Sequence, residues 1–197
     1  MFNKRKSGGN SHLYTVIEYQ KQFEQFKRRV RLFLSPIPDT LIQQKPAGSS
    51  WSIGACIGHI NVTGEKYLEH LSEAYEKAEF TEIEGSGSFA PRVLPFLFIS
   101  LMQPPAKWKI KAPSIFKPGS NLEKKQLLED FNQLQDQLLS LLEKSKKLDL
   151  SRIKLSSPLI PLFRINASEC FAILIAHQNR HLWQAEKILK ELTQRDL

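Results

Sequence analysis

Five histidines are spread over 197 residues, at positions 12, 59, 70, 177 and 181. Two are spaced to act together. His177 and His181 are separated by Gln178, Asn179 and Arg180. On a helix, residues four apart differ by ~40° around the axis and ~6 Å along it. Both imidazoles can then reach one ion, and imidazole is a common ligand for Zn, Ni, Cu and Fe. The alternative is a pair of ordinary polar residues beside an apolar face. Cys170, Leu174, His177, His181, Gln184 and Ile188 fall on one stripe that should point inward. Buried there without partners, two imidazoles would carry a heavy desolvation cost. A metal ion would supply the missing partner, but a pair supplies only two ligands, so both readings stand. His59 is the natural third ligand; its alternative is a core histidine donating to a backbone carbonyl. His70, between Glu69 and Glu73, reads as surface, and His12 as part of an exposed tail.

Four segments with helical periodicity must position these groups. From about Leu13 to Leu34, Val16, Tyr19, Phe23, Phe26, Val30 and Phe33 step by three and four, the mark of one buried face. Pro36 and Pro38 end it. The second helix starts at Ser52 as N-cap and runs to about Ala78, with Ile53, Ile57, Ile60, Tyr67, Leu68 and Leu71 inward. Gly54, Gly58 and Gly64 lie inside it, each costing roughly 1 kcal/mol relative to alanine; they point to close approach of another backbone. Residues 80–119 are irregular, with a short helix over Phe96–Ile99 and Pro104, Pro105 and Pro113 imposing turns. Connections of this length are often functional. A Ser120/Glu123 capping box opens the third helix, to about Lys147, and an Asn166/Glu169 box opens the fourth. Four long helical patterns without a convincing strand imply an all-α bundle.

Composition narrows the class. Residues 1–35 hold eight Lys or Arg and two acids, a net +6 of the chain's +8. Two cysteines, Cys56 and Cys170, are too few for a disulfide framework and read as reduced thiols of a cytoplasmic protein. The charged start at Met1–Lys6 is followed by Ser7, Gly8, Gly9 and Asn10, which excludes a signal peptide. The longest apolar stretch, Val93–Met102, contains Pro95 and falls short of the ~20 residues a bilayer span needs. Residues 1–12 read as a basic flexible tail and 13–197 as one domain, with no membrane partner. No recognition motif or aromatic-interleaved basic groove follows the tail, which argues against a nucleic-acid partner.

The set formed by Trp51, Ser52, Gly58, His59 and Ile60, then Thr63–Tyr67, then His177, Arg180, His181 and Gln184, resembles the DinB-like superfamily, which includes YfiT-like metal-dependent hydrolases. Lys111–Pro118 and Ser157-Pro158 add to the likeness, which covers roughly residues 15–193. The resemblance implies an all-α, DinB-like four-helix bundle with a long irregular connection between helices 2 and 3. It implies a divalent metal, Zn or Ni, on His59, His177 and His181, with water at the open positions. It further implies a small-molecule substrate, which in some relatives is a low-molecular-weight thiol transferred to an electrophile; others are hydrolases. Homodimers are common among them. Gln178 replaces the Glu of a His-Glu-x-x-His protease motif, so no protease-type base stands there. Ala55 occupies a position where the pattern often has a polar residue. Asn61, Glu65 and Gln184 are candidates for supporting roles by spacing alone. No residue is assigned as catalytic. The sequence supports first a metal-dependent enzyme attacking a small electrophile, second a non-catalytic scaffold or binding module with a structural or vestigial metal, and third a basic nucleic-acid or membrane binder working through residues 1–35.

Overall fold

The computed structural model describes residues 14–49, 51–78, 87–105, 111–120 and 123–194. His12 lies outside them. Within them the chain is mostly helical. The elements are α1 (Val16–Leu34), α2 (Asp39–Ile42), α3 (Ile53–Lys77), α4 (Val93–Met102), α5 (Lys124–Lys144), β1 (Lys154–Ser156), β2 (Arg164–Asn166) and α6 (Ala167–Thr193), with 3₁₀ turns at Ser114–Phe116 and Ser145–Lys147.

The four periodic segments form the four long helices. α1 buries Val16, Tyr19, Phe23, Phe26, Val30 and Leu34; Leu34 takes the place expected for Phe33. Its start is a capping box in which Thr15 Oγ1 accepts from the Glu18 amide and Glu18 returns a bond to the Thr15 amide, satisfying two orphan donors. α3 starts as expected, with Ser52 Oγ accepting from the Ala55 amide at 3.0 Å. The Asn166/Glu169 box at α6 also forms. The Ser120/Glu123 box does not: α5 starts at Lys124, with Glu123 as a cap that makes no side-chain bond. A tertiary tie sits at that start instead. Lys124 Nζ donates to the Ile37 carbonyl at 2.8 Å and lies 3.4 Å from an Asp39 carboxylate oxygen.

α3 packs along both α5 and α6, and α1 along both α5 and α6. The apolar core divides into two clusters. One runs through Phe23, Tyr67, Leu134 and Leu174; the other through Phe26, Ile60, Phe131 and Leu182. On α6 the first cluster ends at Ala176 and the second begins at Leu182, so His177 and His181 fall in the break. Gly64 lies where α3 meets α5. A Cβ there would come within 2.3 Å of Leu134 Cδ2, so at Gly64 the close neighbour is a side chain and not the backbone that the glycines suggested.

The irregular region contains more order than expected. α4 extends the short helix to ten residues. Pro95 is in its first turn, where the missing amide would have had no partner inside the helix. The 3₁₀ turn at Ser114–Phe116 buries Phe116. The sequence showed no strand, yet β1 and β2 pair antiparallel, with Leu155 opposite Ile165. Strands of three residues are too short for a period-2 pattern to declare itself.

One buried charge organises the end of the molecule where α4, β2 and α6 meet. The Glu169 side chain is fully buried and receives Arg92 Nε at 2.8 Å, Arg92 Nη2 at 2.7 Å, and the Arg92 and Asn166 amides at 3.0 Å each. Burial alone would raise the pKa of this carboxyl; the bonds from Arg92 and Asn166 outweigh that and hold it below the usual range. Removing the charge strands a hydrogen-bonding set built for a carboxylate. Glu169→Gln is expected to cost about 2–4 kcal/mol, read as a lower urea midpoint at unchanged denaturant slope. A change below about 0.5 kcal/mol would contradict this account.

Candidate metal centre

The site is assembled from two helices. α3 carries His59, seven residues past its Ser52 cap, and α6 carries His177 and His181 one turn apart. Because α3 and α6 pack side by side, the three rings converge. Ring centroids are 4.9 Å apart for His59 and His177, 4.4 Å for His59 and His181, and 4.5 Å for His177 and His181. One ring nitrogen from each can be chosen so that all lie within 4.8 Å of one another. His59 and His181 are buried and His177 is partly buried.

The outer nitrogens show which way each ring points. His59 Nδ1 lies 2.6 Å from the Phe116 carbonyl. A carbonyl only accepts, so Nδ1 carries the proton and Nε2 is left bare in the neutral ring. His181 Nδ1 lies 3.1 Å from Gln184 Oε1, which fixes the same tautomer. The bare His59 Nε2 sits 3.1 Å from His177 Nε2. That separation is close to the roughly 3.3 Å that two nitrogens take when each is about 2.0 Å from a shared tetrahedral ion. His177 Nδ1 is buried and has no hydrogen-bond partner among the described residues.

The electrostatics agree with this geometry. Burial lowers the pKa of His59, against the opposing bond to Phe116. It drives His177 well below the ordinary value, with His181, His59 and Arg180 adding to the effect. His181 is pushed down to about 3 by burial first, then by His59 and Arg180. All three rings are therefore neutral near pH 7, the form in which imidazole donates to a metal. The donor set fits a borderline divalent ion: three neutral nitrogens converge, and two of the rings have their far side already hydrogen-bonded.

Around the rings the structure adds residues that had no assigned role. The Trp51 ring meets His59 edge-on at 5.1 Å and stacks on His181 at 5.8 Å and 30°. Phe116, inside the Lys111–Pro118 stretch of the family likeness, acts through its backbone carbonyl. Gln184 was a candidate by spacing, and it does bond His181. The other two candidates lie elsewhere: Asn61 donates to the Leu127 carbonyl, and Glu65 is exposed. His70 is half-buried rather than a free surface residue, with Nδ1 at 2.9 Å from the Ser156 carbonyl of β1. Among the described residues, the hydrogen bonds of the three rings run to Phe116, Thr63, Gln184 and one another, none to a carboxylate or lysine. Cys56 and Cys170 are free and buried; burial pushes the Cys56 thiol up to about 12 and Cys170 well above its ordinary value.

A family model described as the DinB superfamily matches residues 22–185, a span that contains all three histidines and Gln184. No curated protein matches the chain.

Three histidines held neutral make the metal-free fold sensitive to acid. Their unfolded pKa is about 6.5, and in the fold all three are lower. Below pH ~6.5 the unfolded chain binds more protons than the folded one, so stability falls as pH drops from there toward the folded values. Each histidine contributes up to about 1.4 kcal/mol per pH unit in that window. The urea midpoint of chelator-treated protein should drop between pH 7.5 and pH 5.5, and drop less in a His177→Leu/His181→Leu double variant. Equal drops in both proteins would contradict the assignment.

Proposed function

We propose a function from one premise, that the chain belongs to the DinB superfamily: it is a four-helix-bundle protein that binds one divalent ion, Zn or Ni, through His59, His177 and His181, and uses it to activate a thiol or water against a small electrophile. The observation that carries this reading is the convergence of three neutral imidazoles in the break between two apolar clusters. The chemistry such an ion supplies is acidification of a coordinated water or thiol, making a nucleophile available near neutral pH.

The remaining work falls to the protein's own groups. Neutral ligands leave the full positive charge of the ion in the site, which favours an anionic donor such as a thiolate. Neither cysteine can be that donor, because both are buried and held protonated. The thiol would have to arrive with the substrate. With no carboxylate or lysine hydrogen-bonded to the rings, general-base help from the protein is not built in among the described residues. That favours thiol transfer over hydrolysis that depends on a base. The same lack also suits the second reading, a scaffold in which the ion only holds α3 to α6. The two differ in turnover: transfer predicts conjugation of a low-molecular-weight thiol to a generic electrophile, and the scaffold predicts none.

A homodimer has a surface available. α4 leaves Val93, Leu94, Leu97 and Leu101 more than half exposed, and no charged residue lies within its ten. Exposed apolar side chains grouped on one helix support a docking face for a second copy. Light scattering should give twice the 22.7 kDa chain mass, and Leu97→Glu should return a folded monomer. A monomeric parent protein would remove this part of the proposal.

The ligand set has a direct test. His59→Ala leaves two ligands on one helix, so competition with a chromogenic chelator should show Zn²⁺ affinity lowered at least 100-fold and the one-to-one stoichiometry lost. Unchanged affinity in His59→Ala would overturn the site.

A further inference from the structure

The three rings are supported unequally. The outer nitrogen of His59 is held by the Phe116 carbonyl at 2.6 Å, with Thr63 Oγ1 farther off at 3.5 Å. That of His181 is held by the Gln184 side chain at 3.1 Å. That of His177 has no partner among the described residues. A backbone carbonyl is present whatever the residue, so it carries no choice made by the sequence. Gln184 is such a choice. It lies three residues after His181 on α6, close enough around the helix for the two side chains to meet.

We propose that Gln184 is a positioning residue for the metal centre: its amide oxygen holds His181 in the tautomer whose proton is on Nδ1, so that the bare Nε2 faces His59 and His177. A neutral imidazole has two tautomers, and in the wrong one an N–H points at the ion. An acceptor on the outer nitrogen selects the right one and fixes the ring plane before the ion arrives. Trp51 limits rotation of the His181 ring by stacking on it, but a stacked indole does not distinguish one ring nitrogen from the other. Only the hydrogen bond does. The inference rests on the reading of the three histidines as ligands.

The chemistry of the side chain sets the direction of each substitution. Gln184→Leu keeps the bulk and removes the acceptor. Gln184→Asn keeps the amide but shortens its reach. Gln184→Glu supplies an oxygen that only accepts. Zn²⁺ affinity by chelator competition, with the melting temperature of the metal-free protein measured alongside, is expected to fall 10- to 100-fold in Gln184→Leu and Gln184→Asn. It should be kept or raised in Gln184→Glu, while the metal-free melting temperatures stay within a few degrees of the parent. The visible absorption of the Co²⁺-loaded protein should change in Gln184→Leu and be restored in Gln184→Glu. Parent-like affinity in Gln184→Leu, or equal losses in the Leu and Glu variants, would overturn the role of Gln184 and leave the histidine site standing. A parent protein that binds no Zn²⁺ would overturn both.

Discussion

Three neutral imidazoles packed together between two apolar clusters carry ring nitrogens that each need a partner. Each must shed its proton to enter the interior, and each then presents a lone pair that the surrounding apolar side chains cannot satisfy. The structure meets part of that demand with the Phe116 carbonyl and Gln184 on the outer nitrogens. The inner Nε2 atoms of His59 and His177 lie 3.1 Å apart, within hydrogen-bonding distance of each other and near the separation two ligands of one ion take. Much else in the fold can be understood as arranging that meeting. α3 and α6 must lie side by side in the right axial register, and the two apolar clusters must part at the level of the rings.

The starts of both helices are held by bonds of their own. α6 is pinned at its start by the Asn166/Glu169 box and by Arg92, which arrives from the residue before α4. α3 is pinned by Ser52 and held against α5 at Gly64, where a larger residue would strike Leu134. The connection between α3 and α5 returns to the site through the Ser114–Phe116 turn, whose carbonyl reaches His59. So the irregular region is part of the site, although it contributes a backbone atom and not a side chain.

The long helices were legible because each repeats its apolar residues over five or more turns, and because Ser52 and the Asn166/Glu169 pair announce their own starts. The His177/His181 spacing was legible for the same reason, since it follows the helical period. Choosing His59 as third ligand needed the family resemblance; nothing local separates it from a core histidine, and it does donate to a carbonyl as a core histidine would. The Ser120/Glu123 motif misled because a short motif cannot outweigh a tertiary tie, here Lys124 to Ile37 and Asp39. β1 and β2 escaped notice because three residues carry too little pattern. The roles of Phe116 and Trp51 depend on contacts between segments distant in sequence, which periodicity does not encode.

The central claim is that these three nitrogens share one cation, and X-ray absorption at the metal edge of the loaded, untagged protein tests it most directly. The account predicts a first shell holding three imidazole nitrogens at about 2.0–2.1 Å, with any further ligand an oxygen. A shell with fewer than three imidazoles, or with sulfur at about 2.3 Å in protein loaded without added thiol, would contradict it.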